Sequence, residues 1–370
     1  MIWAGILAAL RHPDATARLA ASLAEPVAWP EVVAEVRRLR VAPLFYAGIQ
    51  DQATAAMPRA VRESFRRAAL AAGARAAYLE AVCASVTTAA SSEGIPVLLL
   101  KGLALQHLVY PPGIVRQMDD VDLLVSPTGA SRFGALLRRL GYRNDLRGEE
   151  DFVAPDRAHS IDVHTRLVNA TRVPARGALW AEPFEDVWAR RQAVAIGGIA
   201  AWALGPRDGL QHLAVHAVHH HGMQGVVWMA DLLAALHTWP GALRETRRAP
   251  AGVRRSVWYC LDVLASRGHD PVPDHRAALQ PRWLFPGERR ILSLAGNAEC
   301  SSRIRYAFTL ACLPGWATRA VLLRQLLIPR DGVYAKGFLD AGPAPRRAWL
   351  AHWGHLVRLA RRGGLCDRSE

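Results

Sequence analysis

The sequence predicts an α+β protein in which a small unit with a mixed sheet is flanked by helical regions on its N-terminal and C-terminal sides. Two observations lead to this prediction. Apolar residues recur every three or four positions over residues 1–90 and over most of the chain after residue 169, as they do in amphipathic helices. Between these regions, short apolar runs alternate with helical stretches, which is typical of strands buried in a sheet. We therefore expect an N-terminal helical region at 1–90, an α/β unit at 91–168 and a mainly helical domain at 169–370.

Composition limits the class of protein. The chain has 370 residues, 51% of them apolar, which is enough for a substantial core, and a formal net charge of +14. Its arginines stand singly or in pairs without a long basic block, so we interpret most of the charge as solvated helix faces and do not expect a general nucleic-acid-binding protein.

The compartment can also be predicted from composition. The five cysteines are odd in number, widely spaced and never in a CxxC pair, which favours reduced core thiols. By inspection, no apolar run approaches the roughly 18 to 20 residues that a membrane span needs, and the N-terminus lacks the basic segment of a signal peptide. We expect a cytoplasmic protein without a membrane span.

The elements of the α/β unit follow in order. The run "EGIPVLLLKG" predicts a strand that ends at Lys101, and "LALQHLVY" predicts a helix that ends at a Pro-Pro-Gly breaker. The segment "QMDDVDLLV" predicts a second strand, and "SPTGASRFGALLRRLGY" a helix with Ser126 as N-cap, Pro127 at its first position and Gly141 as its stop. Finally, "EEDFVAPDRAHSIDVHTRL" alternates as a β-hairpin does.

The mainly helical domain contains one exception to its pattern. Near 191–204, two apolar arms flank Gly197-Gly198, which predicts a tight hairpin. We expect a helical bundle after this hairpin.

Carboxylates are placed on the predicted strands in a pattern that suits a metal ion. Strand alternation puts Asp120 and Asp122 on one side of the second strand, and Asp162 and His164 on one face of the last strand. Neighbouring carboxylates repel each other unless a cation neutralises them, and Mg²⁺ prefers hard oxygen ligands. If the two strands pair, Asp162 completes a cluster of three aspartates, an arrangement suited to two-metal phosphoryl or nucleotidyl transfer.

A rare lysine precedes this cluster. Only Lys101 and Lys336 are lysine, against 44 arginines. At a strand end, the compact ammonium of Lys101 could interact with a triphosphate, and Gly102 would let the backbone approach it. Arg116, four residues before Asp120, could reach the same phosphates.

These residues resemble the nucleotidyltransferase superfamily with the DNA polymerase β-type palm. The likeness is to a bacterial branch that shows "KG", a helix, "R…D-h-D-h-h-V" and "h-D-h-H" in that order. Here the motif residues are Lys101, Gly102, Arg116, Asp120, Asp122, Asp162 and His164. The resemblance implies ATP or another NTP, and Mg²⁺ at the three aspartates. Two departures concern the phosphate loop: Leu103 replaces the usual serine, and Gly102 precedes the aspartates by more residues than is common.

The sequence therefore favours an enzyme that transfers a nucleoside monophosphate (NMP) from an NTP to a hydroxyl or phosphate of an unidentified acceptor. A small molecule, a peptide or a protein is favoured over RNA as that acceptor. The absence of the loop serine motivates an alternative, a non-catalytic binding or regulatory protein that retains the palm.

A second, less favoured alternative is a metal-dependent hydrolase. Within "QHLAVHAVHHHG", His212, His216 and His220 recur every four residues on one helix face and could ligate a metal, with His219 and Asp231 nearby. The resembling branch also shows such a helix followed by an aspartate, which implies that His216 and Asp231 orient substrate.

Overall fold

The computed structural model describes residues 1–50, 57–144, 151–170, 173–282, 284, 288–294 and 304–327. Two compact units emerge. The first, here the sheet unit, comprises Met1–Thr165, Pro183–Leu213 and Gly225–Leu243. The second, here the helical unit, comprises Arg166–Glu182, Ala214–Gln224 and the described residues from Arg244 on.

The sheet unit begins with five helices, as the 3.6-residue periodicity predicts. Their bounds are Ile2–Ala9 (α1), Ala15–Ala24 (α2), Trp29–Arg38 (α3), Ala42–Ile49 (α4) and Arg59–Ser92 (α5).

Strands and helices then alternate in the α/β unit. Their bounds are Val97–Leu99 (β1), Lys101–Leu108 (α6), Val121–Val125 (β2), Ala130–Arg139 (α7), Arg143–Asn144 (β3), Asp151–Val153 (β4) and Ser160–His164 (β5). Helix α7 begins three residues later than predicted, because the Ser126 hydroxyl accepts a hydrogen bond from the Gly129 amide at 2.9 Å and forms a turn before the helix.

The strands form one mixed, seven-stranded sheet with the order β3-β4-β5-β2-β1-β7-β6. The last two strands are Gln192–Ile196 (β6) and Ile199–Ala203 (β7), which follow a helix at Phe184–Ala189 (α8). Strand β1 is antiparallel to β2 and parallel to β7, whereas β2 is parallel to β5. The predicted α+β class is confirmed.

The hairpin near 191–204 forms where the sequence predicts it. Gly197 and Gly198 have φ values of +55° and +81°, the left-handed conformation that a tight two-residue turn requires and glycine adopts without strain. However, β7 pairs with β1 through Leu99 and Ala203, so the hairpin extends the sheet instead of belonging to a separate helical domain. Periodicity predicts a strand but not its pairing partner, which explains why the boundary at residue 169 differs from the compact units.

One face of the sheet is the core of this unit. Alternate strand residues, among them Leu99, Leu123 and Val163, pack against apolar side chains of α5 and α7. The residues between them, including Asp122 and Asp162, point to the opposite face. The alternation that builds the core thus collects the polar residues on one surface.

The remaining α-helices follow β7 along the chain. Their bounds are Pro206–His219 (α9), Val226–Thr238 (α10), Ala242–Thr246 (α11), Ala251–Ser266 (α12), Pro273–Leu279 (α13), Glu288–Leu294 (α14), Ile304–Cys312 (α15) and Gly315–Leu327 (α16). Within the helical unit, α12 packs on α15, and the Tyr259 and Phe308 ring centroids lie 5.0 Å apart. Cys83, Cys260 and Cys312 are buried free thiols, while Cys300 and Cys366 lie outside the described residues.

In the described part of the chain, α5 alone is long and apolar enough to cross a membrane, with a mean hydropathy of 1.2 over its most apolar window. Several of its residues, among them Leu79, Cys83 and Val86, belong to the core beside the sheet. A helix that packs on a core meets the same criteria, so α5 is weak evidence for a span, and the expected absence of a span stays a prediction.

Candidate active site

The predicted polar cluster forms where β2 and β5 run side by side. The register pairs Asp122 with Asp162 and Leu124 with His164. Because paired residues of neighbouring strands point to the same face, the two carboxylates and the imidazole share one surface. The strand pairing on which the sequence argument depended is therefore present.

The three side chains are in direct contact. His164 Nε2 lies 3.1 Å from Asp122 Oδ1 and 3.1 Å from Asp162 Oδ2. Within the described residues, these three form the one group of potential metal ligands whose atoms all lie within 4.8 Å of one another. His164 and Asp122 are buried, and Asp162 is partly open to solvent.

Lys101 joins the cluster from the turn between β1 and α6. Its ammonium forms an ion pair with Asp122 Oδ1, and both side chains are only 7% exposed. The φ of Lys101 is +43°, a left-handed conformation that costs a non-glycine residue about 1 to 3 kcal/mol and persists only where the surrounding structure imposes it. The sharp strand-to-helix turn thus aims the lysine at the carboxylates.

The buried charges stabilise one another. Burial alone would raise the pKa of Asp122, but the Lys101 ammonium and the His164 imidazole outweigh it and hold this pKa well below its usual range. His164 likewise overcomes the effect of burial on Asp162 and lowers its pKa. Burial opposes the charge on His164, yet Asp162 and Asp122 raise its pKa to about 9. At neutral pH the cluster therefore contains two cations and two carboxylates.

Asp120 has a different environment. It immediately precedes β2 and is exposed, and it lies outside the three-ligand group. Protein atoms around its carboxyl reduce hydration, and the nearby Asp122 charge adds repulsion; together they raise its pKa to about 6 despite the attraction of Lys101. A metal role for Asp120 remains a prediction.

The structure places Arg116 in a buried ion pair instead of an open phosphate site. Its Nε and Nη2 each donate to a different carboxylate oxygen of Asp231 at 2.8 Å, and the Tyr110 hydroxyl donates to Asp231 Oδ1 at 2.6 Å. The guanidinium also lies 5.4 Å from the Trp228 ring centroid. Tyr110 and Trp228 were not predicted as part of the site, because no sequence signal relates them to an arginine whose partner lies 115 residues away.

The structure leaves little room for a side chain at Gly102. A Cβ at this position would lie 3.2 Å from Arg116 Nη1 and 3.4 Å from Met118 Cβ, which is tighter than ordinary contact. The absent side chain makes room for Arg116 and Met118. A role of Gly102 toward phosphate stays a prediction.

Within the described residues, the histidines of the segment 211–222 do not come together as a group of metal ligands. In the sheet unit, His212 lines a small apolar cavity together with Lys101 and Trp239. In the helical unit, the His216 and His220 rings stack with centroids 4.9 Å apart, and His219 is buried between the hydroxyls of Thr309 and Ser256. None of these histidines belongs to a three-ligand group in the part of the chain that the structure describes.

The Asp122–Asp162 pair fits a divalent cation. Asp162 Oδ1 is buried and has no hydrogen-bond partner, a costly state for a carboxylate oxygen that a cation would relieve. Carboxylate oxygens are the ligands that Mg²⁺ and Mn²⁺ prefer. His164 Nε2 lies between the two carboxylates and becomes a further potential ligand only when the imidazole loses its proton.

Comparisons with known proteins give a sequence family and a similar solved structure. Residues 25–267 match the sequence family described as "Uncharacterised nucleotidyltransferase". Among solved structures, the solution structure of the antibiotic-resistance factor ANT(2'')-Ia is similar at 12% identity with a TM-score of 0.35, covering 51% of this chain and 92% of that chain. A comparison with curated protein sequences gives no match.

Proposed function

The chain belongs to the family of uncharacterised nucleotidyltransferases, and from this membership we propose that it transfers an NMP group from an NTP, preferably ATP, to a hydroxyl or phosphate acceptor. The observation that supports this most directly is the parallel register of β2 and β5, which sets Asp122 beside Asp162 on the polar face of the sheet. The protein is a transferase, and its sheet corresponds to the palm of the nucleotidyltransferase superfamily.

In the proposed reaction, an acceptor oxygen attacks the α-phosphorus of the NTP. One P–O bond forms, the bond between the α-phosphorus and the oxygen bridging to the β-phosphorus breaks, and pyrophosphate leaves with that electron pair. Asp122 and Asp162 would hold Mg²⁺, with Asp120 at the exposed edge as a third carboxylate. When bound, such ions stabilise the attacking and leaving oxygens.

The remaining residues have positioning and proton-transfer roles. Asp162 also assists deprotonation of the acceptor hydroxyl. Lys101 and the backbone at Gly102 contact the phosphates, and His164 holds the two carboxylates in place. We exclude Arg116 from the phosphate contacts because Asp231 engages its guanidinium, and we assign it to shaping the turn at Gly102.

The acceptor and the compartment are parts of the same proposal. We favour a small molecule, a peptide or a protein as acceptor. The buried free thiols Cys83, Cys260 and Cys312 support a reducing compartment, the cytoplasm.

Labelled nucleotides test the proposed reaction. The protein is incubated with Mg²⁺ and each of the four α-³²P-labelled NTPs in the presence of a metabolite, a peptide or a protein fraction. We expect the label to appear in one fraction and pyrophosphate to be released. The Asp122→Asn variant should abolish both, whereas Asp119→Asn, which alters an exposed carboxylate paired with Arg40, should retain them. Failure of the wild type with every NTP and every fraction would remove the proposal.

A further inference from the structure

Lys101 and a metal ion both need the carboxylate of Asp122. The proposed function requires Lys101 for phosphate contact and Asp122 for metal binding. In the structure, the Lys101 ammonium instead lies on Asp122 Oδ1, and neither side chain is more than 7% exposed. A buried ion pair of this kind is lost only if another charge compensates the carboxylate.

The turn at Lys101 directs the ammonium to this position. With a φ of +43° at the junction of β1 and α6, the residue is strained. The cavity beside Lys101 is lined by apolar side chains such as Leu105 and Trp239. A small free space thus adjoins the lysine side chain, and the movement we have in mind is a change of its rotamer with the backbone in place.

The charges of the cluster also oppose simultaneous occupancy. Lys101 already neutralises one of the two carboxylates through its ion pair with Asp122 Oδ1. A divalent cation added to this cluster would leave an excess of buried positive charge. An NTP supplies negative charge and offers the ammonium a new partner.

We propose that Lys101 is an internal competitor of the divalent cation, bound to Asp122 in the metal-free protein and released to a phosphate oxygen when metal and NTP arrive together. The inference rests on the proposed function and adds to it a coupling between metal binding and nucleotide binding. Metal alone binds weakly, and metal and NTP each increase the affinity for the other by the same factor, as thermodynamic linkage requires.

Manganese affinity without nucleotide tests the competition. Free Mn²⁺ is measured by electron paramagnetic resonance during titration of the wild type, Lys101→Met and Lys101→Gln. Both variants remove the ammonium, and we expect each to bind Mn²⁺ at least about tenfold more tightly than the wild type. If Lys101→Met does not fold, Lys101→Gln, which keeps a hydrogen-bond donor beside Asp122, decides.

A matched control separates direct competition from a general change in charge. Arg40→Met also removes one positive charge near the site, where Arg40 pairs with the exposed Asp119. We expect its Mn²⁺ affinity to stay within about twofold of the wild type, since exposed charges are screened. Unchanged or weaker Mn²⁺ binding in a folded Lys101 variant, or equal tightening in Arg40→Met, would overturn the inference.

The scarcity of lysine permits a second test on the unmodified protein. Protein labelled with ¹³C at lysine Cε gives only two lysine signals, from Lys101 and Lys336, and Lys336→Arg assigns them. The Lys101 signal should move saturably when Mg²⁺ and ATP are added together. A Lys101 signal that does not move while calorimetry shows Mg²⁺ and ATP binding would contradict the inference.

These outcomes are independent of catalysis. A wild type that transfers no NMP while the Lys101 variants bind Mn²⁺ more tightly would contradict the proposed function and support the competition. NMP transfer by the wild type, together with unchanged Mn²⁺ affinity in the Lys101 variants, would support the proposed function and contradict the competition.

Discussion

Asp120 and Asp122 are two positions apart and have opposite effects on stability. Asp122 is buried against the Lys101 ammonium and His164, which lower its pKa. Asp120 is exposed at the edge of the cluster, and its pKa is raised to about 6. The folded state therefore favours the charge of Asp122 and opposes that of Asp120.

Asparagine substitutions should separate these effects. Asp122→Asn leaves Lys101 buried without its carboxylate, and we expect a loss of about 3 to 5 kcal/mol in the free energy of unfolding. Asp120→Asn should increase this free energy at pH 7. Urea unfolding in the absence of metal measures both, and an Asp122→Asn variant at least as stable as the wild type would show that the ion pair does not stabilise the fold.

The Asp120 effect should depend on pH in a defined direction. A pKa of about 6 in the folded state and 3.8 in the unfolded state means that the wild type loses stability as pH rises between these values. The advantage of Asp120→Asn should thus be present at pH 7 and nearly absent below pH 4. An advantage that does not change with pH would contradict the electrostatic explanation.

Replacing the lysine by arginine tests its shape requirement. Lys101 lies in a buried, strained turn, where the wider guanidinium fits poorly. We expect Lys101→Arg to weaken NTP binding by about 1 to 3 kcal/mol, the range of a charged hydrogen bond. Calorimetric titration measures this, with Lys336→Arg, at a position outside the described residues, as the control. Equal NTP affinity for Lys101→Arg and wild type would rule out a shape-specific phosphate contact.

Residue-level prediction from sequence succeeded where strand alternation decides the outcome. Alternation alone placed Asp162 and His164 on one face, and the register confirms it. The contact of Lys101 with Asp122 could not be predicted, because it depends on a positive φ that the sequence does not indicate at a lysine. Arg116 was assigned to phosphate from its proximity in sequence to Asp120, whereas its partner comes from a distant helix.

At the scale of elements, the Arg116–Asp231 pair joins the segment after α6 to α10. Asp231 is completely buried, and it also accepts the Tyr110 hydroxyl. We expect Asp231→Asn to lower the free energy of unfolding by about 3 to 5 kcal/mol, because Arg116 then stays buried without a carboxylate. The double variant Arg116→Met, Asp231→Leu should recover part of this loss in chemical denaturation. A single variant within about 0.5 kcal/mol of the wild type would contradict this account.

His219 should make the helical unit sensitive to acid. Burial, with a smaller effect of Arg176, holds the pKa of His219 well below its usual 6.5, and its two ring nitrogens meet the hydroxyls of Thr309 and Ser256. As the pH drops, His219 therefore binds a proton more readily in the unfolded chain than in the folded one. The free energy of unfolding then falls below about pH 6.5. His219→Gln should lose less stability between pH 7 and pH 5 than the wild type. An equal loss of stability between pH 7 and pH 5 in the wild type and in His219→Gln would contradict this effect of His219.

At the scale of the whole molecule, the sequence predicted the class of fold better than its boundaries. Periodicity indicated a small sheet between helical regions, but it could not show that the hairpin of β6 and β7 would pair with β1. Each compact unit consists of three separate segments of the chain, and local sequence periodicity cannot predict such an arrangement. The site was predictable because β1, β2 and β5, which position it, lie within about 70 residues of one another.

The central claim is that Asp122 and Asp162 hold a metal ion for a bound nucleotide. Calorimetric titration of ATP in the presence and absence of Mg²⁺ tests it most directly, with the wild type, Asp162→Asn and the control Asp119→Asn. The account predicts saturable, Mg²⁺-dependent binding to the wild type and to Asp119→Asn, and its loss in a folded Asp162→Asn variant. ATP binding to Asp162→Asn with wild-type affinity and wild-type Mg²⁺ dependence would contradict it.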